Sequence, residues 1–140
     1  MKKKKIQISG SAGKPILIDA TYKANAQPKQ VVVFCHGFKG FKDWGPFNEI
    51  AAHFAQQNIV FVKFNFSYNG TTIDDPLNFG DLKAFGNNNF CKELDDLSLV
   101  LDWIEESNEL KGEVDASKSH YLDTVEEEGL QCLKQLRIGE

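Results

Sequence analysis

Apolar and polar residues alternate near the start of the chain, and this alternation predicts two strands. Residues 6–9 and residues 15–22 each show the period of two that is typical of half-buried strands. Gly10 and Gly13 punctuate the short segment between them. We therefore expect the two strands to form an antiparallel hairpin.

Two further segments are apolar without alternation, which is typical of strands covered on both faces. Residues 31–35 read Val-Val-Val-Phe-Cys, and residues 59–65 read Ile-Val-Phe-Val-Lys-Phe-Asn. Strands of this kind lie inside parallel sheets. The polar segment 67–86, rich in Gly, Asn, Thr and Asp, is predicted to be a long loop.

Helical spacing of apolar residues appears twice. The first helix begins near Pro46, whose lack of an N–H costs nothing in the first turn. The second ends near Ser107, and its apolar residues step by four, three, four and three. The apolar positions are Phe47, Ile50, Ala51 and Phe54 in the first helix and Phe90, Leu94, Leu97, Leu101 and Ile104 in the second.

The predicted order is β-β-β-α-β-α, and alternation of strands and helices predicts parallel strands joined by right-handed crossovers. We therefore expect an α/β fold with a mostly parallel sheet, an N-terminal antiparallel hairpin and flanking helices. Residues 113–140 contain scattered leucines and a run of three glutamates but no predicted strand. We divide the chain into an α/β unit, residues 1–112, and an atypical tail, residues 113–140.

The composition is that of a folded protein of about one domain, with 41% hydrophobic residues among 140. A net charge of -4 provides no basic face for phosphates, so we expect no nucleic-acid partner. Residues 1–5 resemble the charged start of a signal peptide, but no apolar stretch long enough to cross a membrane follows. We expect a cytoplasmic protein without a membrane partner.

Metal and cofactor sites are not indicated. The three cysteines, Cys35, Cys91 and Cys132, are odd in number and lack C-x-x-C spacing, which predicts neither a disulfide framework nor zinc. The carboxylate pairs at 74–75 and 95–96 lack neighbouring histidines and a calcium-loop pattern, so we interpret them as solvated. His53 and His120 have no companions along the sequence.

The chemistry-bearing motif is His36-Gly37-Phe38, directly after the apolar segment 31–35. A loop that leaves the carboxyl end of a buried parallel strand points backbone N–H groups into the crevice where such sheets bind ligands. Such donors stabilise the oxyanion of a tetrahedral intermediate, at about 3 kcal/mol per donor. Cys35 cannot pair with His36 as a nucleophile, because adjacent residues on a strand point to opposite faces.

Placed in this context, the motif resembles the His-Gly-x oxyanion motif of the α/β-hydrolase superfamily. Residues 64–70 resemble the loop after that family's fourth strand, and residues 88–104 resemble the helix before its nucleophile strand. The likeness covers roughly residues 14–110 and is nearest to the branch of dienelactone hydrolases and small serine esterases or aminopeptidases.

The resemblance implies specific roles for three residues. The backbone N–H of Phe38 is the expected oxyanion donor, and His36 and Gly37 are the expected supporting residues of that motif. The expected substrate is a small-molecule ester or related acyl compound, hydrolysed without a cofactor. Trp44 and the neighbouring phenylalanines either line an acyl pocket or pack in the core.

The family's nucleophile is a serine in G-x-S-x-G, and the chain contains no such motif. Where it should fall, the codons of residues 120–128, read one base earlier, can encode Leu-Leu-Gly-His-Ser-Arg-Gly-Gly. We therefore hypothesise a frame change between about residues 115 and 120. The serine, acid and histidine are then all absent, and we predict an inactive truncated form.

The absence of the family's nucleophile strand should also affect the sheet. In the family the strand before the nucleophile pairs beside the equivalent of residues 31–35, so its absence leaves that strand as an uncovered edge. Unless the tail covers it, we expect marginal stability and self-association through the exposed sheet edge.

Two alternatives stay open. One is a small non-catalytic α/β binding module, which is disfavoured because neither Gly37 nor Gly40 opens a phosphate-binding loop pattern. The other is a chain that works only with a complementing, separately translated C-terminal part.

Overall fold

The computed structural model describes residues 1–10, 13–35, 42–43, 46–71, 74, 80–87 and 90–123, with the backbone alone at 85, 90, 116 and 119–123. Five strands and three helices lie within these ranges. The strands are β1 (Lys2–Ser9), β2 (Pro15–Tyr22), β3 (Lys29–Cys35), β4 (Val60–Phe64) and β5 (Val114–Asp123), and the helices are α1 (Phe47–Gln56), α2 (Leu82–Gly86) and α3 (Phe90–Glu106).

The five strands form one mixed sheet in the order β1-β2-β4-β3-β5. β1 pairs with β2 and β2 with β4 in antiparallel fashion, whereas β3 pairs with β4 and β5 in parallel. The predicted N-terminal hairpin is therefore confirmed. The expected mostly parallel sheet is not, because two of these four pairings are antiparallel.

β5 is the main departure from the sequence prediction. No strand was expected after residue 112, yet β5 pairs with β3 from Val31 opposite Ser119 to Cys35 opposite Asp123. The expectation of an uncovered β3 edge is therefore wrong, and ten residues of the predicted tail belong to the sheet. The sequence of β5 has no apolar run, and ladder hydrogen bonds between main chains leave no trace in a hydrophobic pattern.

The two faces of the sheet are covered by different helices. On β3, Val31, Val33 and Cys35 belong to the cluster that includes α3, whereas Val32 and Phe34 belong to the cluster that includes α1. This explains the continuous apolar run of β3, because each buried side chain of this size contributes about 1.5–3 kcal/mol on either face.

α2 lies inside the segment predicted to be a loop. It comprises only five residues, and Leu82 at its start is 70% exposed, so no apolar stripe indicates it. The side chain of Asp81 accepts a hydrogen bond from the N–H of Ala84 at 3.0 Å, which is an N-terminal cap. The turn is also held to the rest of the chain, because Ala84 is buried and Asp81 pairs with Lys14 at 3.0 Å.

Candidate functional site

The predicted site residues His36, Gly37 and Phe38, like Trp44, lie outside the described residues. The structure describes the chain on both sides of the motif. β3 ends at the fully buried Cys35, and the chain is described again at Lys42 and Asp43. The geometry of these flanking residues defines how the segment is attached to the sheet.

Lys42 and Asp43 belong to a closed ring of four charged side chains, which we call the charge ring: Asp19, Lys42, Asp43 and Lys63. Lys42 Nζ lies 2.9 Å from Asp19 Oδ2 and 2.7 Å from Asp43 Oδ2. Lys63 Nζ lies 3.0 Å from Asp19 Oδ2 and 2.6 Å from Asp43 Oδ1. Each side of the ring joins opposite charges, so the ring is neutral as a whole.

The sheet places the two strand members of the ring. Asp19 on β2 and Lys63 on β4 are direct cross-strand partners in the antiparallel ladder, so their side chains share one face. Both are buried, at 1% and 0% exposure. Buried charges of this kind require paired and hydrogen-bonded partners, which the segment after β3 supplies.

The ring shifts the pKa values of its two loop members in opposite directions. Burial disfavours the charged form of Asp43, but hydrogen bonds from Lys42 and Lys63 outweigh it and lower the pKa of Asp43 to about 2. Burial likewise opposes the charge on Lys42, but its hydrogen bonds to Asp19 and Asp43 prevail and raise its pKa. Both groups are therefore held in their charged forms at neutral pH.

The main chain of Lys42 has its own anchor. Its N–H donates to Asn65 Oδ1 at 2.7 Å, and Asn65 is the first residue after β4. The N–H of Asn65 donates in turn to the carbonyl oxygen of Leu17 on β2 at 3.0 Å. The segments that follow β3 and β4 are thus tied together at the carboxyl edge of these two strands.

A second buried carboxylate fixes the segment after β4. Asp96 on α3 is 1% exposed and accepts hydrogen bonds from the N–H and the Oγ of Ser67, both at 2.7 Å. The interpretation of residues 95–96 as solvated holds for the exposed Asp95 and is wrong for Asp96. A signal was present, because Asp96 lies one helical turn before the buried Val100, at the margin of the apolar stripe.

A small cavity lies beside these anchors. Its volume is about 130 Å³, and its lining includes Asn65, Ser67, Asn69 and Thr71. That volume is below the roughly 300–1,000 Å³ of small-molecule sites. A more open crevice of about 330 Å³, near Pro28 and Asn58, lies at the opposite edge of the sheet from the carboxyl ends of β3 and β4. Ligands of open α/β sheets bind at the carboxyl edge.

The described residues contain no group of three or more His, Cys, Asp or Glu side chains placed to hold a metal ion. His53 on α1 and Asp74 are exposed, while Asp75, Cys132 and the side chain of His120 lie outside what the structure describes. Among the described helices, none combines the length and the apolar character that crossing a membrane requires.

Comparison with solved structures identifies the fold. The α/β hydrolase GrgF from Penicillium sp. sh18 matches with a TM-score of 0.66 and 14% identity over 88% of this chain and 37% of its own. A cold-adapted esterase from an Arctic intertidal metagenomic library matches with a TM-score of 0.63 and 13% identity over 86% of this chain and 49% of its own. Brefeldin A esterase, described as a bacterial homologue of human hormone-sensitive lipase, matches with a TM-score of 0.59 and 17% identity over 87% of this chain and 31% of its own.

These matches show that the chain has the fold of the amino-terminal portion of an α/β-hydrolase. It spans between about a third and a half of the length of the three structures. Identities of 13–17% show the fold alone. No protein-family model and no curated protein matches the sequence.

Proposed function

We propose that the chain is the amino-terminal part of a serine-type α/β-hydrolase that acts on a small ester or related acyl compound. The backbone N–H of Phe38 is the oxyanion donor, and His36 and Gly37 support the motif. The observation that carries the proposal is the place of β3, an interior strand with parallel neighbours on both sides. The segment that follows such a strand enters the ligand crevice of α/β sheets.

We propose further that residues 1–140 lack the nucleophile and are inactive alone. β5 lies beside β3, where the strand before the nucleophile lies in the family. In the displaced reading frame, Gly-His-Ser arises from the codons of residues 122–125, which begin within β5. A strand in this place, followed in the displaced frame by an encoded elbow, supports the frame-change hypothesis.

The nucleotide sequence tests the frame change. The bases beneath residues 122–128 should encode Gly-x-Ser-x-Gly in the neighbouring frame. If they do, restoring the frame by a single base should yield a chain that hydrolyses p-nitrophenyl acetate and is inhibited by serine reagents. If the bases encode no such motif, the frame-change hypothesis is wrong.

The oxyanion role is tested in the frame-restored chain. Phe38→Pro removes the backbone N–H, and kcat should fall by roughly 100-fold or more, as for other single oxyanion donors. Phe38→Ala is the matched control, because it alters the side chain and keeps the N–H, so its kcat should remain within a few-fold. Equal losses in both variants would contradict the assignment.

One observation favours a second candidate, a chain that acts with a separately translated remainder. Within the described residues, β5 pairs with β3 on one side only, so its other side is a sheet edge. Such an edge accepts a further strand. Co-expression with a chain that carries the downstream frame should then yield a stable complex with esterase activity, whereas two chains that purify separately and inactive would exclude it.

A further inference from the structure

The charge ring has no part in the hydrolase chemistry proposed above. Three of the four ring members are buried and Asp43 is partly exposed. Burying such charges carries a large desolvation cost, and apolar side chains of similar volume commonly give equal or greater stability. Stability alone therefore does not account for the ring. Two members of the ring lie on neighbouring strands, and the other two are consecutive residues of the segment after β3. This geometry indicates that the ring positions that segment on the sheet.

We propose that Lys42 and Asp43 are positioning residues that lock the segment after β3 onto strands β2 and β4. Residues 36–41 then lie between two fixed points, Cys35 at the end of β3 and Lys42 in the ring. The consequence for catalysis rests on the proposed function, since the segment so fixed contains the expected oxyanion donor. The locking itself does not depend on it.

Because the charges in the ring alternate in sign, the ring holds the segment after β3 in one register only. Asp19 contacts the ammonium groups of both lysines, and Asp43 does the same. If the segment slipped by one residue towards β3, the Asp43 carboxylate would take the place of Lys42 against Asp19. Two like charges would then meet in a buried site, which strongly disfavours the slipped arrangement.

The hydrogen bond from the Lys42 N–H to Asn65 Oδ1 allows the attachment of this segment to be measured directly. While the segment is held, this amide is protected from exchange with solvent, and local opening exposes it without unfolding the sheet. Exchange at this single amide thus separates a positioning role from a general contribution to stability.

The test is amide hydrogen exchange by NMR on the full chain and its variants. In Asp43→Asn the Lys42 amide should accelerate at least ten-fold more than the protected amides of β3 and β4, whose acceleration reports only the loss of global stability. Asp43→Glu, which keeps the charge, should restore protection to within about three-fold. The matched control is Lys3→Met. It removes a cation that lies 3.9 Å from the same Asp19 but comes from β1, and it should leave the Lys42 amide unchanged.

If Asp43→Asn does not fold, the double variant Lys42→Gln/Asp43→Asn takes its place. It removes one charge of each sign and leaves the Asp19–Lys63 pair intact, so the expected result at the position 42 amide is the same. Unchanged exchange at this amide, or equal acceleration across β3 and β4, would overturn the proposal. These outcomes require no enzymatic activity, so they are distinct from a failure of the proposed hydrolase function.

Discussion

Asp43 has a pKa of about 2 in the folded chain, against an ordinary value of 3.8, because Lys42 and Lys63 donate hydrogen bonds to its carboxylate and outweigh the effect of burial. A carboxyl group whose pKa is depressed by folding stabilises the fold above its unfolded pKa. The contribution is complete above about pH 4 and is lost as the pH falls through 2. The lowering corresponds to on the order of 2 kcal/mol.

This dependence predicts the behaviour of Asp43→Asn in urea unfolding. At pH 7 the variant should have a lower free energy of unfolding than the parent, and the difference should shrink between pH 4 and pH 2. Asp95→Asn is the control, because Asp95 is exposed. A difference between parent and Asp43→Asn that stays constant down to pH 2 would contradict the role of the ionised carboxylate.

Gly10 lies where a side chain has no room. A Cβ atom at this position would lie 2.5 Å from the Lys14 carbonyl oxygen and 2.6 Å from Ser67 Cβ, which is closer than atoms can pack. Gly10→Ala should therefore cost about 1–3 kcal/mol. At Gly86, the last residue of α2, a Cβ would meet nothing within 4 Å, so Gly86→Ala should leave stability unchanged or raise it by up to about 1 kcal/mol. Thermal unfolding of both variants checks this, and equal midpoints would contradict it.

Among the elements, α3 does more than cover the sheet, because Asp96 ties it to the segment after β4. Asp96→Ala leaves the N–H and hydroxyl of the buried Ser67 without this acceptor and should cost about 2–3 kcal/mol in urea unfolding. Asp95→Ala, one position earlier on the same helix and exposed, should stay within about 0.5 kcal/mol. Similar losses in the two variants would show that the Ser67 contact contributes little.

Because β5 covers one side of β3, we expect two shortened chains to behave differently. A chain ending at residue 112 loses β5 and leaves the apolar β3 as an edge, so it should aggregate and lose cooperative thermal unfolding. A chain ending at residue 123 keeps the β3–β5 ladder and should remain monodisperse. Light scattering and thermal melts compare the two, and a monodisperse, cooperatively folded 112-residue chain would contradict the importance of β5.

The elements that could be predicted are those with an apolar pattern in the sequence: alternation in β1 and β2, continuous apolar runs in β3 and β4, and helical spacing in α1 and α3. β5 and α2 show no such pattern. Lys2–Lys5 were not recognised as part of β1, because lysines in an edge strand bring no apolar alternation.

The site could be predicted only in part. His36-Gly37-Phe38 is a contiguous motif, but the charge ring joins residues that are up to 44 positions apart in the sequence. A signal existed in Lys63, a charge inside an otherwise apolar strand that implies a buried partner. The identity of that partner depends on the β2–β4 register, which the sequence pattern does not determine.

In the whole molecule, the segments that follow β3 and β4 leave the sheet at the same edge, the carboxyl edge of these two strands. The charge ring and the Asp96–Ser67 contact both anchor segments that leave this edge. The fold is that of the amino-terminal portion of an α/β-hydrolase. By our proposal the oxyanion motif is present and the serine it serves is absent.

The presence of a nucleophile can be measured directly on the purified 140-residue chain. The chain is incubated with a fluorophosphonate probe and, separately, with p-nitrophenyl acetate, beside an active serine esterase as the positive control. We expect no serine adduct by mass spectrometry and no turnover above that of buffer. A single labelled serine, together with probe-sensitive hydrolysis, would contradict it.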